Sequence, residues 1–143
     1  MIRQYFLAIC IFLAISVNAT KFDIRAELIC NFQKQWQYTA YFYEYDVYSS
    51  SEGMHTTPVY ASVQPNSSFA ASFEYNEGDG SGDNYYETYM TITHTCTDNG
   101  HQATAAFFIG TVPVDSTGAL IEQRYIIDTK CHSSFCVLVH TQQ

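Results

Sequence analysis

The 143-residue chain is acidic, with six basic against fourteen acidic side chains and a net charge of −8, and 47% of its residues are hydrophobic. A surface of that sign repels phosphate backbones and bare anionic lipid, which argues against nucleic-acid binding and against adhesion to an unbridged membrane surface. The length suits one domain with a real core and is too short for two.

Met1-Ile2-Arg3 is a short positive start, the run 5–16 is apolar, and Val17-Asn18-Ala19 sets small residues at the −3 and −1 places of a signal-peptidase site. This three-part layout predicts a secretory signal peptide over 1–19, cleaved after Ala19. The apolar run is too short to span a bilayer, which takes roughly 20 residues. No later segment is long and apolar enough, so the expectation is a secreted, extracellular domain over 20–143 with no membrane span. Loss of Arg3 leaves five basic against fourteen acidic side chains, which makes the domain more acidic still.

Cys10 leaves with the leader, and Cys30, Cys96, Cys131 and Cys136 remain. Four cysteines in an exported chain predict two disulfides and allow three pairings. Cys131 and Cys136 are close enough to close a short loop, which favours Cys30 with Cys96 across the core and leaves the other pairings open. There is no Cys-x-x-Cys spacing to suggest redox or metal chemistry.

The elements follow in chain order. Phe22, Ile24, Ala26, Leu28 and Cys30 alternate with Asp23, Arg25 and Glu27, a period of two. Trp36, Tyr38, Ala40 and Phe42 form one face of a second strand, whose other face carries Gln37, Thr39, Tyr41, Tyr43 and Tyr45. A serine-rich loop over 49–53 follows, then strands over 59–63 and 69–75 around a turn at Pro65-Asn66-Ser67-Ser68. The acidic, glycine-rich stretch 76–84 reads as a loop. In the next strand Met90, Ile92, His94 and Cys96 oppose Tyr89, Thr91, Thr93 and Thr95. Further strands are expected over 103–112, 120–129 and 135–140. No stretch has an apolar period of 3.6, and β-branched and aromatic residues dominate. Seven or eight short strands predict an all-β, antiparallel, Ig-like sandwich.

These segments resemble the nematode transthyretin-like family of secreted proteins. The points of likeness are RAELIC over 25–30, YTAYFYEYD over 38–46, the turn and strand over 66–73, MTITHTC over 90–96 with its closing His-x-Cys, and the segment 125–131. The resemblance implies a transthyretin (prealbumin-like) β-sandwich. The family's further cysteine has no counterpart over 102–113, and Cys136 is the candidate replacement. Structural relatives of the family include a purine-pathway hydrolase with a Tyr-Arg-Gly-Ser tail, paired histidines and an arginine. Here the chain closes His140-Thr141-Gln142-Gln143 and the domain's arginines are Arg25 and Arg124, so that activity is not expected.

Little else points to chemistry. His55, His94, His101, His132 and His140 lack the tight spacing of a structural zinc site. His94 shares a face with Met90, Ile92 and Cys96, which favours a core histidine over a ligand-binding one, and both readings are kept. Glu74, Glu77, Asp79 and Asp83 could offer oxygens to calcium, but the twelve-residue loop pattern is missing and a solvated loop is the simpler reading. There is no Gly-x-Ser-x-Gly and no reactive-cysteine signature. Asn66-Ser67-Ser68 is an N-glycosylation sequon.

Tyr41, Tyr43 and Tyr45, on the face opposite the core, are the most unusual feature, because tyrosine offers stiff contact area that tolerates water. The expectation is a cofactor-free, metal-free, non-enzymatic binding protein for a small apolar ligand or an extracellular protein or cell-surface partner. The alternatives are a structural or defence-type protein and an extracellular hydrolase with a His/acidic site.

Overall fold

The computed structural model describes residues 19–45, 51–77, 84–114, 116–132 and 135–138. The expected leader, apart from Ala19, lies outside the described residues, as do Asp79, Asp83 and His140. Among the described residues there is no helix.

Ten strands succeed one another among the described residues: β1 (Thr20–Ile29), β2 (Trp36–Glu44), β3 (Glu52–Thr56), β4 (Tyr60–Ser62), β5 (Asn66–Tyr75), β6 (Tyr85–His94), β7 (Ala103–Pro113), β8 (Ala119–Ile126), β9 (Thr129–His132) and β10 (Phe135–Leu138). One sheet has the order β5-β1-β8. A second runs β3-β2-β6-β7, with β4 also pairing β2, and β9 and β10 form a separate hairpin. The pairs are antiparallel except β1 and β8, which run parallel. A parallel pair needs a long crossover, and here the chain from β2 to β7 supplies it.

The count exceeds the expected seven or eight for two local reasons. Gly53, a poor strand residue, disguises β3 as loop, although the strand pairs β2 from Tyr41 to Glu44 across a bulge. The expected strand over 120–129 breaks at Ile127-Asp128, because the Asp128 carboxylate turns to accept from Asn31, through its N–H (2.6 Å) and its Nδ2 (2.7 Å).

β3 and β4 share one side of β2 and are separated by Thr57-Pro58-Val59. Proline has no N–H to give to a ladder. Thr57 bridges the gap, since Ala40 N–H donates to its Oγ1 at 3.0 Å.

Period two decides which side chains meet. Phe22, Ile24, Ala26 and Leu28 of β1 face Trp36, Tyr38, Ala40 and Phe42 of β2, and all are buried. Phe69, Phe73 and Tyr75 of β5, Tyr86, Met90 and Ile92 of β6, and Phe107 and Ile109 of β7 complete the layer. Rings span the sheets: Phe42–Phe73 at 5.5 Å, Phe22–Tyr86 at 6.0 Å, Tyr38–Phe69 at 5.9 Å and Phe107–Tyr125 at 4.5 Å. Such offset and tilted pairs add to the area they remove from water.

Cys30 and Cys96 are disulfide-bonded and enclose 66 residues of separation. Closing a loop of that length stabilises by about 4 kcal/mol on the chain-entropy account. Cys131 is also disulfide-bonded, and the β9–β10 ladder sets Cys136 directly across from it.

Phe42 is fully enclosed and packs against Phe69, Phe73 and His55. Phe42→Ala is expected to cost about 3–5 kcal/mol, read as a lower urea midpoint with unchanged slope. A loss under about 1 kcal/mol, the range of ordinary surface substitutions, would contradict this packing.

Candidate functional site

On the outer face of the second sheet, period two turns Tyr41 and Tyr43 of β2, Tyr89 of β6 and Phe108 of β7 outward, with Tyr45 just beyond β2. The register sets Tyr43 directly opposite Tyr89, and Tyr89 opposite Phe108. A row of rings therefore crosses three strands. Tyr43 and Tyr89 stack with centroids 5.6 Å apart, and Tyr89 tilts against Phe108 at 5.1 Å. Along β2, Tyr41 stacks on Tyr43 at 5.8 Å, and Tyr45 meets Tyr89 edge-on at 5.8 Å.

Tyr41, Tyr45 and Phe108 are each more than 40% exposed. Tyr41 lies over Gly53, where a Cβ would collide with its hydroxyl. That close approach explains a glycine inside β3. The rest of the face is neutral: Gln37, Thr39, Thr91, Thr93, Thr104 and Ala106 surround the rings, and Glu87 is the one charged side chain among the described outward residues of β2, β6 and β7.

The structure thus brings Tyr41, Tyr43 and Tyr45 together. The sequence reading missed Tyr89 and Phe108 as their partners. Tyr89 already stood in the outward set opposite Met90, but the pairing of β2 with β6 is a long-range fact that no local pattern encodes.

His94 sits elsewhere, enclosed at 1% exposure. Cys96 N–H donates to its Nδ1 (3.1 Å), which leaves the proton on Nε2 facing Thr129 Oγ1 (3.5 Å). Thr129 Oγ1 in turn donates to Ile127 O (3.1 Å). Burial lowers the imidazole pKa to about 4, against a smaller opposing pull from the Asp128 carboxylate. A neutral, bonded ring closed off from solvent is built for packing.

Cys30, Cys96 and buried Asp128 bring three metal-type donors together. Both sulfurs are committed to the disulfide and both Asp128 oxygens accept from Asn31, so the group has no thiolate to offer an ion. His55 stacks on Phe73 at 4.8 Å, and His101 is exposed just after the turn at Asp98-Asn99-Gly100. His55, His94 and His101 lie on separate elements in different environments.

Acidic groups gather at one end of the sandwich. Tyr75 OH donates to Glu52 Oε2 at 2.9 Å. Glu77 is held above the ordinary carboxylate range by its hydrogen bond to Glu52 and by the charge there. Glu74, another member of the acidic stretch, is exposed across from Lys21.

Concavities lined by described residues include two grooves of about 490 and 380 Å³ on the first sheet. Arg25 and Ala70 line both, with Glu27 and Glu122 in one and Asp23 and Ser72 in the other. Arg124 grips Glu27 through two bonds (2.8 and 3.2 Å), and Asn66 Nδ2 donates to the same carboxylate at 3.3 Å. Asn66, the sequon residue, is exposed at the start of β5 rather than inside the expected turn. Comparison of the chain with protein-family models, with curated proteins and with solved structures finds no match in any of the three.

The buried His94 sets a pH dependence. Its folded pKa of about 4 lies below the ordinary 6.5, so through that window the unfolded chain binds a proton that the native state refuses. Stability is then complete above pH 6.5 and lost as pH falls. Between pH 7 and pH 5 the loss is about 2 kcal/mol, read from urea midpoints, and His94→Gln is expected to flatten it. Equal losses in both proteins would contradict the assignment.

Proposed function

We propose that this chain is a secreted binding protein of transthyretin-like kind, which engages an extracellular protein or cell-surface partner through the aromatic face of its second sheet and makes or breaks no bonds. The observation that carries this reading is the exposed row Tyr41, Tyr43, Tyr45, Tyr89 and Phe108 on a nearly uncharged face of an acidic molecule. Large exposed apolar clusters mark interaction sites, and tyrosine gives contact area at low entropic cost.

A flat row favours a macromolecular partner over an enclosed small apolar ligand. The two grooves of the first sheet include charged side chains in their lining, which suits such a ligand poorly. Export is supported by the tripartite start of the sequence and by the cystine, since disulfides persist in oxidising compartments. The two facing sheets and the Leu-x-Cys and His-x-Cys motifs support the transthyretin-like kinship. Asn66 carries glycan on this reading, at an exposed position away from the aromatic row, and its occupancy is read by peptide mapping. A purely structural or defence-type role leaves the clustering of rings on one neutral face without a reason.

The test is binding of the labelled protein to extracellular surfaces. Tyr43→Ala is expected to weaken binding by about tenfold or more, as removal of a central aromatic anchor does, with the β circular-dichroism spectrum kept. Unchanged affinity in a folded Tyr43→Ala protein would contradict the aromatic face as the contact.

A further inference from the structure

We propose that the outer face of the second sheet is a platform for a neutral, extended glycan chain, which lies along β2 and β6 from the tyrosines to an amide-lined groove at the other end. The inference rests on the aromatic face being the contact surface, and it gives the cell-surface partner a chemistry.

The rings occupy only part of this face. In the register of β2 with β6, Tyr43 opposes Tyr89, Tyr41 opposes Thr91 and Thr39 opposes Thr93. Gln37 follows beside Thr95, whose N–H donates to Gln37 O at 3.0 Å. From Tyr43 to Gln37 the track runs roughly 20 Å, at about 3.4 Å per residue. Its far end holds a groove of about 150 Å³ whose lining includes Gln37, Thr39, Val59, Thr93, Thr95 and Gln102. Aromatic rings therefore stand at one end and hydroxyl and amide groups at the other.

Both strands are interior to their sheet. β2 pairs with β3 and β4 on one side and with β6 on the other, and β6 also pairs with β7. Their backbone is committed, so side chains alone meet a partner here. Gln37 and Gln102 are exposed, and each amide offers two donors and a carbonyl acceptor. Thr95 Oγ1 accepts from Gln37 N–H at 3.0 Å, which leaves its own proton to give. The outward residues of β2 and β6 between Gln37 and Tyr43 are all uncharged. Glu87 stands past the tyrosine end, where Tyr45 N–H donates to its carbonyl at 3.0 Å.

Charge selects the class of partner. A molecule of net charge −8 repels acidic polysaccharides and anionic lipid, and a basic partner finds no carboxylate along the track. A neutral sugar chain suits both conditions. Each pyranose has an apolar C–H face that packs on an aromatic ring, and a rim of hydroxyls that exchange hydrogen bonds with amides and threonines. Along β2, Tyr41 follows Tyr43 at 5.8 Å with ring planes 18° apart, close to the advance per sugar of an extended β-linked chain. Tyr89, 5.6 Å from Tyr43 and nearly parallel to it, widens the platform. Protein hot spots sit in enclosed pockets, whereas these rings lie on an open sheet face.

The test is adsorption of the protein, disulfides intact, to cellulose and chitin powders, read as depletion from solution across a concentration series. Binding to at least one powder is expected. It should be equal at low and high salt, because no ion pair is there to be screened, and heparin, an acidic glycan, should not compete. Tyr89→Ala is expected to weaken adsorption at least about tenfold, with the β circular-dichroism spectrum kept, whereas Tyr89→Phe retains it. Gln37→Ala, at an exposed position, is expected to weaken it by about two- to tenfold, the loss of one hydrogen bond. Leu120→Lys on the exposed face of β8 leaves it unchanged. No adsorption to either powder would overturn the proposal. Attachment to extracellular surfaces that still falls with Tyr43→Ala would then keep the aromatic face as a contact for protein. Adsorption lost in high salt, displaced by heparin, or indifferent to both Tyr89→Ala and Gln37→Ala would overturn it equally.

Discussion

The structure depends on one layer of rings packed between two sheets and tied by the Cys30–Cys96 bond. Phe42, Phe69 and Phe73 lock β2 to β5, Phe22 and Tyr86 lock β1 to β6, and Phe107 with Tyr125 closes the β7–β8 side. The bond joins the end of β1 to the end of β6, one strand from each sheet, so it clamps the layer instead of stapling neighbours. The buried polar groups nearby serve the same clamp. Asp128 receives Asn31, and His94 receives the Cys96 N–H. Burying these groups is tolerable because each is hydrogen-bonded.

Strict alternation on β1, β2 and β6 has an outward consequence. Whatever faces out on β2 must be the odd-numbered set, and that set is rich in tyrosine. The antiparallel register with β6 then aligns Tyr43 with Tyr89, and the next ladder adds Phe108. An aromatic surface results from the same period that fills the core. Gly53 is the local concession that lets the Tyr41 ring lie flat.

Much of the architecture was legible in the sequence because period two is a local signal. The inward residues of β1, β2 and β6 were each named by it, and the closeness of Cys131 and Cys136 favoured the Cys30–Cys96 pairing without excluding the others. The parallel alignment of β1 with β8 was not legible, since strand direction depends on which strands meet across the whole chain. β3 was missed because Gly53 weakens the strand pattern. The bend at Asp128 was missed because its cause, Asn31, lies 97 residues away. At the candidate site, the tyrosines of β2 were visible as a run on one strand, whereas their partners became visible only with the sheet order.

The account stands on β1 and β6 being joined across the aromatic layer, and non-reducing peptide mapping of the purified protein tests that most directly. The account predicts one crosslinked peptide joining Cys30 to Cys96 and a second joining Cys131 to Cys136. Recovery of Cys30 linked to Cys131 or Cys136, or of Cys30 and Cys96 as free thiols in the folded protein, would contradict it.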